Sequence, residues 1–249
     1  MMSLNKMDHS TVVGKQLKYK LKVNVGMVSS LVIVQVIALF LSIIGPMQGF
    51  SGMNEVEVES KSYSAYNVIL FTSIWALIHA IIMTTKKDWE KSFPFVGNGR
   101  TNDLSNFLFL IGISIVAGIL TILSTIMLRV YFYYFSGEYL FMTPGFVLSG
   151  QEVWTGIFIM IMHLIFMCAV GYFLGTLTRF HRLLPTLLPI ILLGLLLVFS
   201  QTNSDFTMNI FQFYYQEMSA TIFVLKTILS TLILFAISLF ISSRTEVRR

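Results

Sequence analysis

Charge is scarce in this sequence of 249 residues. Only 12% of the residues are charged and 55% are hydrophobic, whereas a water-soluble domain usually carries about a quarter charged residues. This composition excludes a disordered chain and a nucleic-acid-binding domain. The sequence has one cysteine, Cys168, which excludes a secreted disulfide scaffold and a cage of cysteine ligands around a metal ion.

What the sequence has instead is a series of long apolar runs. A helix that crosses a bilayer needs roughly 20 apolar residues. Six runs of about this length, bounded by charge or by glycine and proline, lie at about 25–45, 63–84, 104–128, 153–178, 183–200 and 219–241. The first is longer than the apolar region of a signal peptide and is predicted to stay in the protein. We therefore predict an all-α, multi-pass membrane protein with six transmembrane helices.

The basic residues are sorted by segment, and this sorting predicts the orientation. Fourteen of the 17 Lys and Arg residues lie before the first run, after the second, after the fourth or after the sixth. Basic residues accumulate on the cytoplasmic side of membrane proteins, so both termini are predicted to be cytoplasmic in the cell membrane. The net charge of +5 is then a signal of topology, and no nucleic-acid partner is expected.

The predicted outer segments are acidic and aromatic. Glu55, Glu57 and Glu59 alternate in the first of them, and aromatic residues crowd positions 131–135 and 206–215. Tyr and Trp favour the headgroup layer because one end of the ring is apolar and the other is polar. These aromatics therefore indicate an interfacial belt, or alternatively segments that dip back into the membrane and form an outer gate.

The interiors of the six runs contain no Asp or Glu. Carriers driven by protons or sodium generally keep a carboxylate near mid-membrane. The ionisable residues at depth are His79 and His163, with Arg129 and Lys226 toward the outer side. The two histidines lie at different depths, so no shared metal site is expected. Each is a candidate for the transport pathway or for hydrogen bonding between packed helices.

Catalytic signatures are also missing. The sequence has no H-E-x-x-H, no G-x-S-x-G and no pair of intramembrane aspartates. Gly14-Lys15 is followed by Gln16 rather than Ser or Thr, so it is not a P-loop. We expect no catalytic residue, no metal and no ATP site in this chain; an intramembrane protease or transferase is the competing enzyme hypothesis.

The segment before the first run, about residues 9–24, predicts an amphipathic basic helix. Val13, Leu17 and Leu21 recur every four residues and form one apolar stripe, while Lys15, Lys18 and Lys22 lie mainly off it. Such a helix is expected on the cytoplasmic surface, near anionic lipid. It is either a plain positively charged anchor or an interfacial elbow helix that docks against a cytoplasmic partner.

The loop after the second run is longer than a connector requires. It carries Trp89, Phe93 and Phe95 among charged residues, which is costly in water. Pro94 breaks a short helix, and Asn102 or Asp103 can cap the third span. An aromatic knob of this kind suits insertion into a groove on another protein, or alternatively anchoring in the membrane interface.

Six spans, cytoplasmic termini, the basic helix and this loop together resemble the permease subunit of a type-two ABC exporter, in its short bacterial form. The local resemblance is carried by Phe93-Pro94-Phe95 and by the stretch from Arg100 to Ser105, although Pro94 and Arg100 are spaced further apart than in many members. The resemblance implies that residues 86–104 are a coupling loop. Its coupling residues are then Trp89, Phe93, Pro94, Phe95 and Arg100.

The resemblance further implies partners and a function. A separate cytoplasmic ABC ATPase would bind ATP and Mg²⁺, and a second permease copy or a related permease would complete one pathway in the lipid bilayer. Short permeases of this type often serve Gram-positive exporters of peptides, including antimicrobial peptides, and so contribute to antimicrobial resistance. The alternative function is a non-transporting membrane subunit for self-immunity or for a sensor.

These expectations divide the chain into three parts. Residues 1–24 form the elbow helix, residues 25–242 the transmembrane domain and residues 243–249 a cytoplasmic tail. The outer segments are then 46–62, 129–152 and 201–218.

Two further features bear on the pathway and on packing. Pro185 and Pro189 indicate a kinked or pathway-lining fifth span, and Phe211 and Tyr214 belong to an outer segment that in the resembled family often forms re-entrant helices. The pair Gly171 and Gly175 is a GxxxG pattern, which lets two helices approach closely. We expect it to pack the fourth span within the subunit rather than at a dimer interface.

Overall fold

The computed structural model describes residues 9–44, 47–53, 56–62, 65–85, 99–135, 149–178 and 220–246. This part of the chain contains six helices and one hairpin of two strands. The elements in chain order are α1 (His9–Val23), α2 (Val25–Ile44), β1 (Met47–Met53), β2 (Val56–Ser62), α3 (Tyr66–Met83), α4 (Gly99–Phe135), α5 (Gly150–Leu177) and α6 (Ala220–Glu246).

Five of these helices, α2 to α6, are long and apolar enough to cross a membrane, judged by length and composition. They correspond to the first, second, third, fourth and sixth predicted spans. The fifth predicted span, at about 183–200, lies outside the described residues. Four of the five observed helices begin within a few residues of the predicted position, because long apolar runs are the strongest signal in such a sequence.

Helix α4 is longer than the span predicted for it. It has 37 residues, which corresponds to about 55 Å at 1.5 Å per residue, against a hydrocarbon core of about 30 Å. The helix includes polar residues before the predicted start and continues through Tyr131–Phe135 at its end. These last five residues, predicted to lie in an outer segment, are therefore the final turn of a helix.

The first predicted outer segment contains a β-hairpin, which the all-α prediction did not include. Strands β1 and β2 pair antiparallel, and the register places Phe50 opposite Glu59 and Gly52 opposite Glu57. The Val-Glu-Val-Glu alternation of residues 56–59 has the period of two that is typical of a strand. The described residues are otherwise helical, with turns at the helix ends.

The chain separates into two compact units. The first unit consists of Met1–Val23, Ala76–Gly112 and Ile165–Arg249. The second consists of Asn24–Trp75 and Ile113–Leu164. Each unit contains its own cluster of buried polar side chains.

Helices α2 and α6 bury mostly polar or small residues and turn most of their large apolar residues outward. On α2 the buried residues are Leu31, Gln35, Ala38 and Ser42, and on α6 they include Thr227, Thr231, Ser238 and Ser242. The outward residues are large and apolar, among them Ile33, Val36, Phe40, Leu229, Leu232 and Phe240. A water-soluble protein shows the opposite sorting, so these surfaces are suited to lipid, as in a membrane-embedded protein.

Helix α5 begins with a capping box. The backbone N–H of Glu152 donates to the Ser149 hydroxyl at 3.3 Å, and the backbone N–H of Ser149 donates to a Glu152 carboxylate oxygen at 2.9 Å. The two bonds satisfy donors that a helix start leaves without partners. The exposed Trp154 follows one half-turn later, as expected of a residue that anchors a helix in the headgroup layer.

Candidate functional site

A buried lysine lies at the centre of the polar cluster in the first unit. Lys20 is on α1, and only 4% of its surface is exposed. Its ammonium group donates to the Asn102 side-chain oxygen at 2.8 Å, to the Asn102 backbone oxygen at 3.2 Å and to the Ser105 hydroxyl at 2.6 Å. It also contacts the side-chain oxygen of Asn106. The first two turns of α4 thus form an oxygen-lined socket for a residue of α1.

The socket continues into a wider network through Asn106. The amide nitrogen of Asn106 donates to the Tyr172 hydroxyl at 3.4 Å and lies 3.5 Å from the backbone oxygen of Met83. The Tyr172 hydroxyl donates to a carboxylate oxygen of Asp103 at 2.7 Å. We call Lys20, Asn102, Asp103, Ser105, Asn106 and Tyr172 the polar node. It joins α1, the end of α3, the start of α4 and the end of α5.

The number of acceptors around Lys20 explains how the charge is tolerated. A lysine ammonium has three N–H donors and no acceptor, and the socket offers four oxygen atoms to it. A buried charge is strongly destabilising if it lacks such partners. The buried carboxyl group of Asp103, 2% exposed, has the Tyr172 hydroxyl as a donor. The polar node is therefore well satisfied and positions its four helix segments closely.

The buried face of α1 differs from the predicted stripe. Val13 is buried as expected, but its buried neighbours are Gln16 and Lys20, whereas Leu21 is 51% exposed. The predicted apolar stripe of Val13, Leu17 and Leu21 is therefore not the face that packs against the rest of the first unit.

The GxxxG pattern packs α5 against α3 within the subunit, and the prediction for it is confirmed. A Cβ atom added at Gly171 would lie 2.5 Å from the backbone oxygen of Leu77. One added at Gly175 would lie 2.1 Å from the Thr84 hydroxyl. Only glycine permits this approach, and it brings Tyr172 within reach of the start of α4.

The polar cluster of the second unit is built from neutral groups. The side-chain amide of Gln35, on α2, donates to the Thr121 hydroxyl on α4 at 3.1 Å and lies 3.4 Å from the Thr72 hydroxyl on α3. Thr72 and Thr121 also donate to carbonyl oxygens of their own helices, at 2.7 Å each. This cluster links three candidate spans through one amide.

His163 pairs with Ser73 in the second unit. Its Nε2 atom lies 3.0 Å from the Ser73 hydroxyl oxygen, and that hydroxyl donates to the Ile69 carbonyl oxygen at 2.7 Å. A hydroxyl has one proton and a carbonyl oxygen only accepts, so a Ser73 hydroxyl that donates to the Ile69 carbonyl oxygen can accept a hydrogen bond from an Nε2–H of the histidine. A ring nitrogen that donates to serine does not act as its base. The pair therefore has the geometry of helix packing.

The remaining predicted site residues fall into two groups. Arg100 lies in the first turn of α4, and the half-buried His79 lies on α3 in the first unit. The others lie outside the described residues: Trp89, Phe93, Pro94, Phe95, Pro185, Pro189, Phe211 and Tyr214. Among the residues that the structure describes, no three His, Cys, Asp or Glu side chains come together as a metal-binding group.

Comparison with protein-family models, curated proteins and solved structures finds no match for the chain.

Sequence reasoning missed the central residues of both clusters. Lys20 was counted as one of several basic residues before the first span, and Asn106 and Tyr172 were not singled out. A signal was present in the sequence, since Asn102, Ser105 and Asn106 share one face of α4 next to an apolar run. Gln35 carries the same signal as a lone amide inside an apolar span.

Proposed function

We propose that this chain is the transmembrane permease subunit of an ATP-driven exporter of the ABC type. The polar node is the observation that carries the proposal. It fixes α1, the end of α3 and the end of α5 to the first two turns of α4, and α4 begins at the end of the loop that would meet an ATPase.

The loop and the polar node are adjacent in the sequence. The loop leaves α3 after Met83, and Asn106 lies 3.5 Å from the Met83 carbonyl oxygen. The loop rejoins the described chain at Gly99, three residues before Asn102. Both ends of the loop are therefore held by one buried cluster, so a force on the loop would act on all the helix segments that meet there.

The ATPase would be a separate cytoplasmic subunit, since this chain carries no P-loop. A second permease copy, or a related permease, would complete the pathway. The cargo we propose is an amphipathic peptide or another hydrophobic molecule. The interiors of the six apolar runs lack acids, and their Met- and Phe-rich side chains adapt to apolar cargo of different shapes.

The proposal is tested by co-purification and transport. We expect the tagged chain to retain a P-loop ATPase, and inverted vesicles containing both to accumulate a fluorescent amphipathic peptide only with ATP. The double variant Trp89→Ala with Phe93→Ala should lose both properties. Leu108→Ala, a change at an exposed apolar position of α4, serves as the control. Intact transport in the double variant, together with no retained ATPase in the wild type, would contradict the proposal.

The second candidate function is a membrane subunit for self-immunity or sensing that forms no pathway. The same node would then hold the loop for a partner that does not hydrolyse ATP. Protection of cells from a peptide by this chain alone, without ATP-dependent accumulation in vesicles, would favour that function.

A further inference from the structure

The structure separates the basic residues of α1 into two roles. Lys20 is buried in its socket, whereas Lys15, Lys18 and Lys22 are exposed. None of the three exposed lysines has a hydrogen bond or an ion pair to a described residue. Helix α1 itself contains no acidic residue, so its exposed charge is of one sign.

The three exposed lysines form a single face. At 100° per residue they fall within an arc of about 60°, which is centred about 170° from Lys20. They extend along about 10 Å of the helix. We call Lys15, Lys18 and Lys22 the lysine face. Because Lys20 is fixed on the opposite side of the helix, the lysine face points away from the socket.

Apolar residues lie beside the lysine face. Leu21 is 51% exposed and Val23 is 46% exposed. The candidate span α2 begins after the single residue Asn24, so the last turn of α1 reaches the membrane surface. Exposed leucine and valine next to lysine suit a headgroup layer, where apolar atoms enter the acyl boundary and ammonium groups meet phosphate.

We propose that the lysine face is a binding surface for the anionic headgroups of membrane lipids, and that Lys20 is the positioning residue that presents it. Phosphate is recognised by the three ammonium groups through charge. The order imposed by the socket distinguishes this surface from a flexible basic tail. The inference does not depend on the transport proposal, because it concerns the chain without its ATPase.

The test counts lipids bound to the purified full-length chain. The protein is held in micelles that contain equal amounts of phosphatidylglycerol and phosphatidylcholine, and native mass spectrometry measures the ratio of the two lipids retained. Each lysine near an anionic surface contributes about fivefold in binding. We therefore expect the wild type to retain at least about five times more phosphatidylglycerol.

The variants distinguish the charge of the lysine face from the placement of α1 by Lys20. Replacing Lys15, Lys18 and Lys22 together by Gln should bring the ratio near one, while replacing them by Arg should preserve it. Lys20→Met leaves the three exposed charges in place but frees α1, so we expect the ratio to fall at least about twofold. Ser105→Ala removes one acceptor of the socket and should give a smaller fall, which keeps the test valid if Lys20→Met does not fold.

Four results would overturn the proposal or its positioning role for Lys20. An equal ratio in the wild type contradicts lipid selectivity, and so does an unchanged ratio in the Gln variant. A wild-type ratio near one, combined with loss of a co-purifying acidic protein in the Gln variant, would assign the lysine face to a protein partner. If folded Lys20→Met and Ser105→Ala both keep the full ratio, the positioning role of Lys20 is wrong.

Discussion

The two compact units both bury polar side chains, but they differ in the charge of those side chains. In both units these side chains lie between packed helices. The first unit buries a lysine and an aspartate within the polar node, and the second buries a glutamine, two threonines and a histidine with a serine. Loss of a partner is expected to cost more in the charged cluster than in the neutral one.

The two units also differ in whether their polar groups have hydrogen-bond partners within their own helix. Thr72 and Thr121 each donate to a carbonyl oxygen of their own helix, so they stay satisfied when the Gln35 amide is removed. The four oxygen atoms that surround the Lys20 ammonium all belong to another helix, α4. The first unit is therefore expected to be the more sensitive to substitution of single polar residues.

The largest expected effect is that of Asn106→Leu. The change removes an acceptor from the Lys20 ammonium and a donor from the Tyr172 hydroxyl. We expect it to lower the free energy of unfolding by about 3 kcal/mol, because a buried charge loses a partner. The free energy is measured by steric trapping in bicelles, with Leu108→Ala as the control. A loss as small as that of the control would remove the distinction between the units.

The next effect concerns the glycines that let helices meet. In Gly171→Ala the added Cβ would collide with the Leu77 backbone oxygen, and we expect a loss of about 2 kcal/mol in the free energy of unfolding. Gly112→Ala is the control, since nothing lies within 4 Å of the added atom. It should change stability by less than about 1 kcal/mol, in the stabilising direction. Equal effects of the two changes would contradict the observed packing of α3 against α5.

Gln35→Leu should have a smaller effect. The change removes the amide that joins three helices in the second unit, but both threonine hydroxyls keep their own carbonyl partners. We expect a loss of about 1 kcal/mol in the free energy of unfolding. The comparison with Asn106→Leu, in the same assay, isolates the contribution of charge. A loss larger than that of Asn106→Leu would reverse the comparison.

Ser73→Ala should have the smallest effect. It removes the hydrogen bond to His163, and bonds of this kind between membrane helices are worth about 0.6 kcal/mol. The unfolding assay should show a loss of that order, and the proposed transport should be unchanged. A loss of transport without a loss of stability would show that Ser73 and His163 act in the pathway rather than in packing.

The helices that were predicted well from the sequence are those marked by long apolar runs. An apolar run of 20 residues has one stable form in a bilayer, and α2, α3 and α5 follow their runs closely. The helix before the first span was also predicted, since residues 9–24 match α1. The close glycine contact of α5 was predicted from two residues four positions apart.

The sequence predicted less well those features that depend on contacts with distant residues. The stripe of α1 was assigned from apolarity, but Leu21 lies outward and Lys20 inward. One lysine among five before the first span cannot be recognised as buried, because its socket is formed by residues more than 80 positions later. The hairpin at 47–62 was missed because its strands are short and carry a mixture of polar and apolar residues.

The distance in sequence between Lys20 and its socket sets an order of events during synthesis. Lys20 and Asn106 are 86 positions apart, and ribosomes add roughly 5–20 residues per second. Helix α1 therefore emerges roughly 4–17 seconds before the start of α4 exists. During that time Lys20 can remain hydrated at the membrane surface, and no desolvation cost arises until its oxygen partners arrive. The burial of this lysine thus follows the synthesis of α1 by the time needed to make α2, α3 and the start of α4.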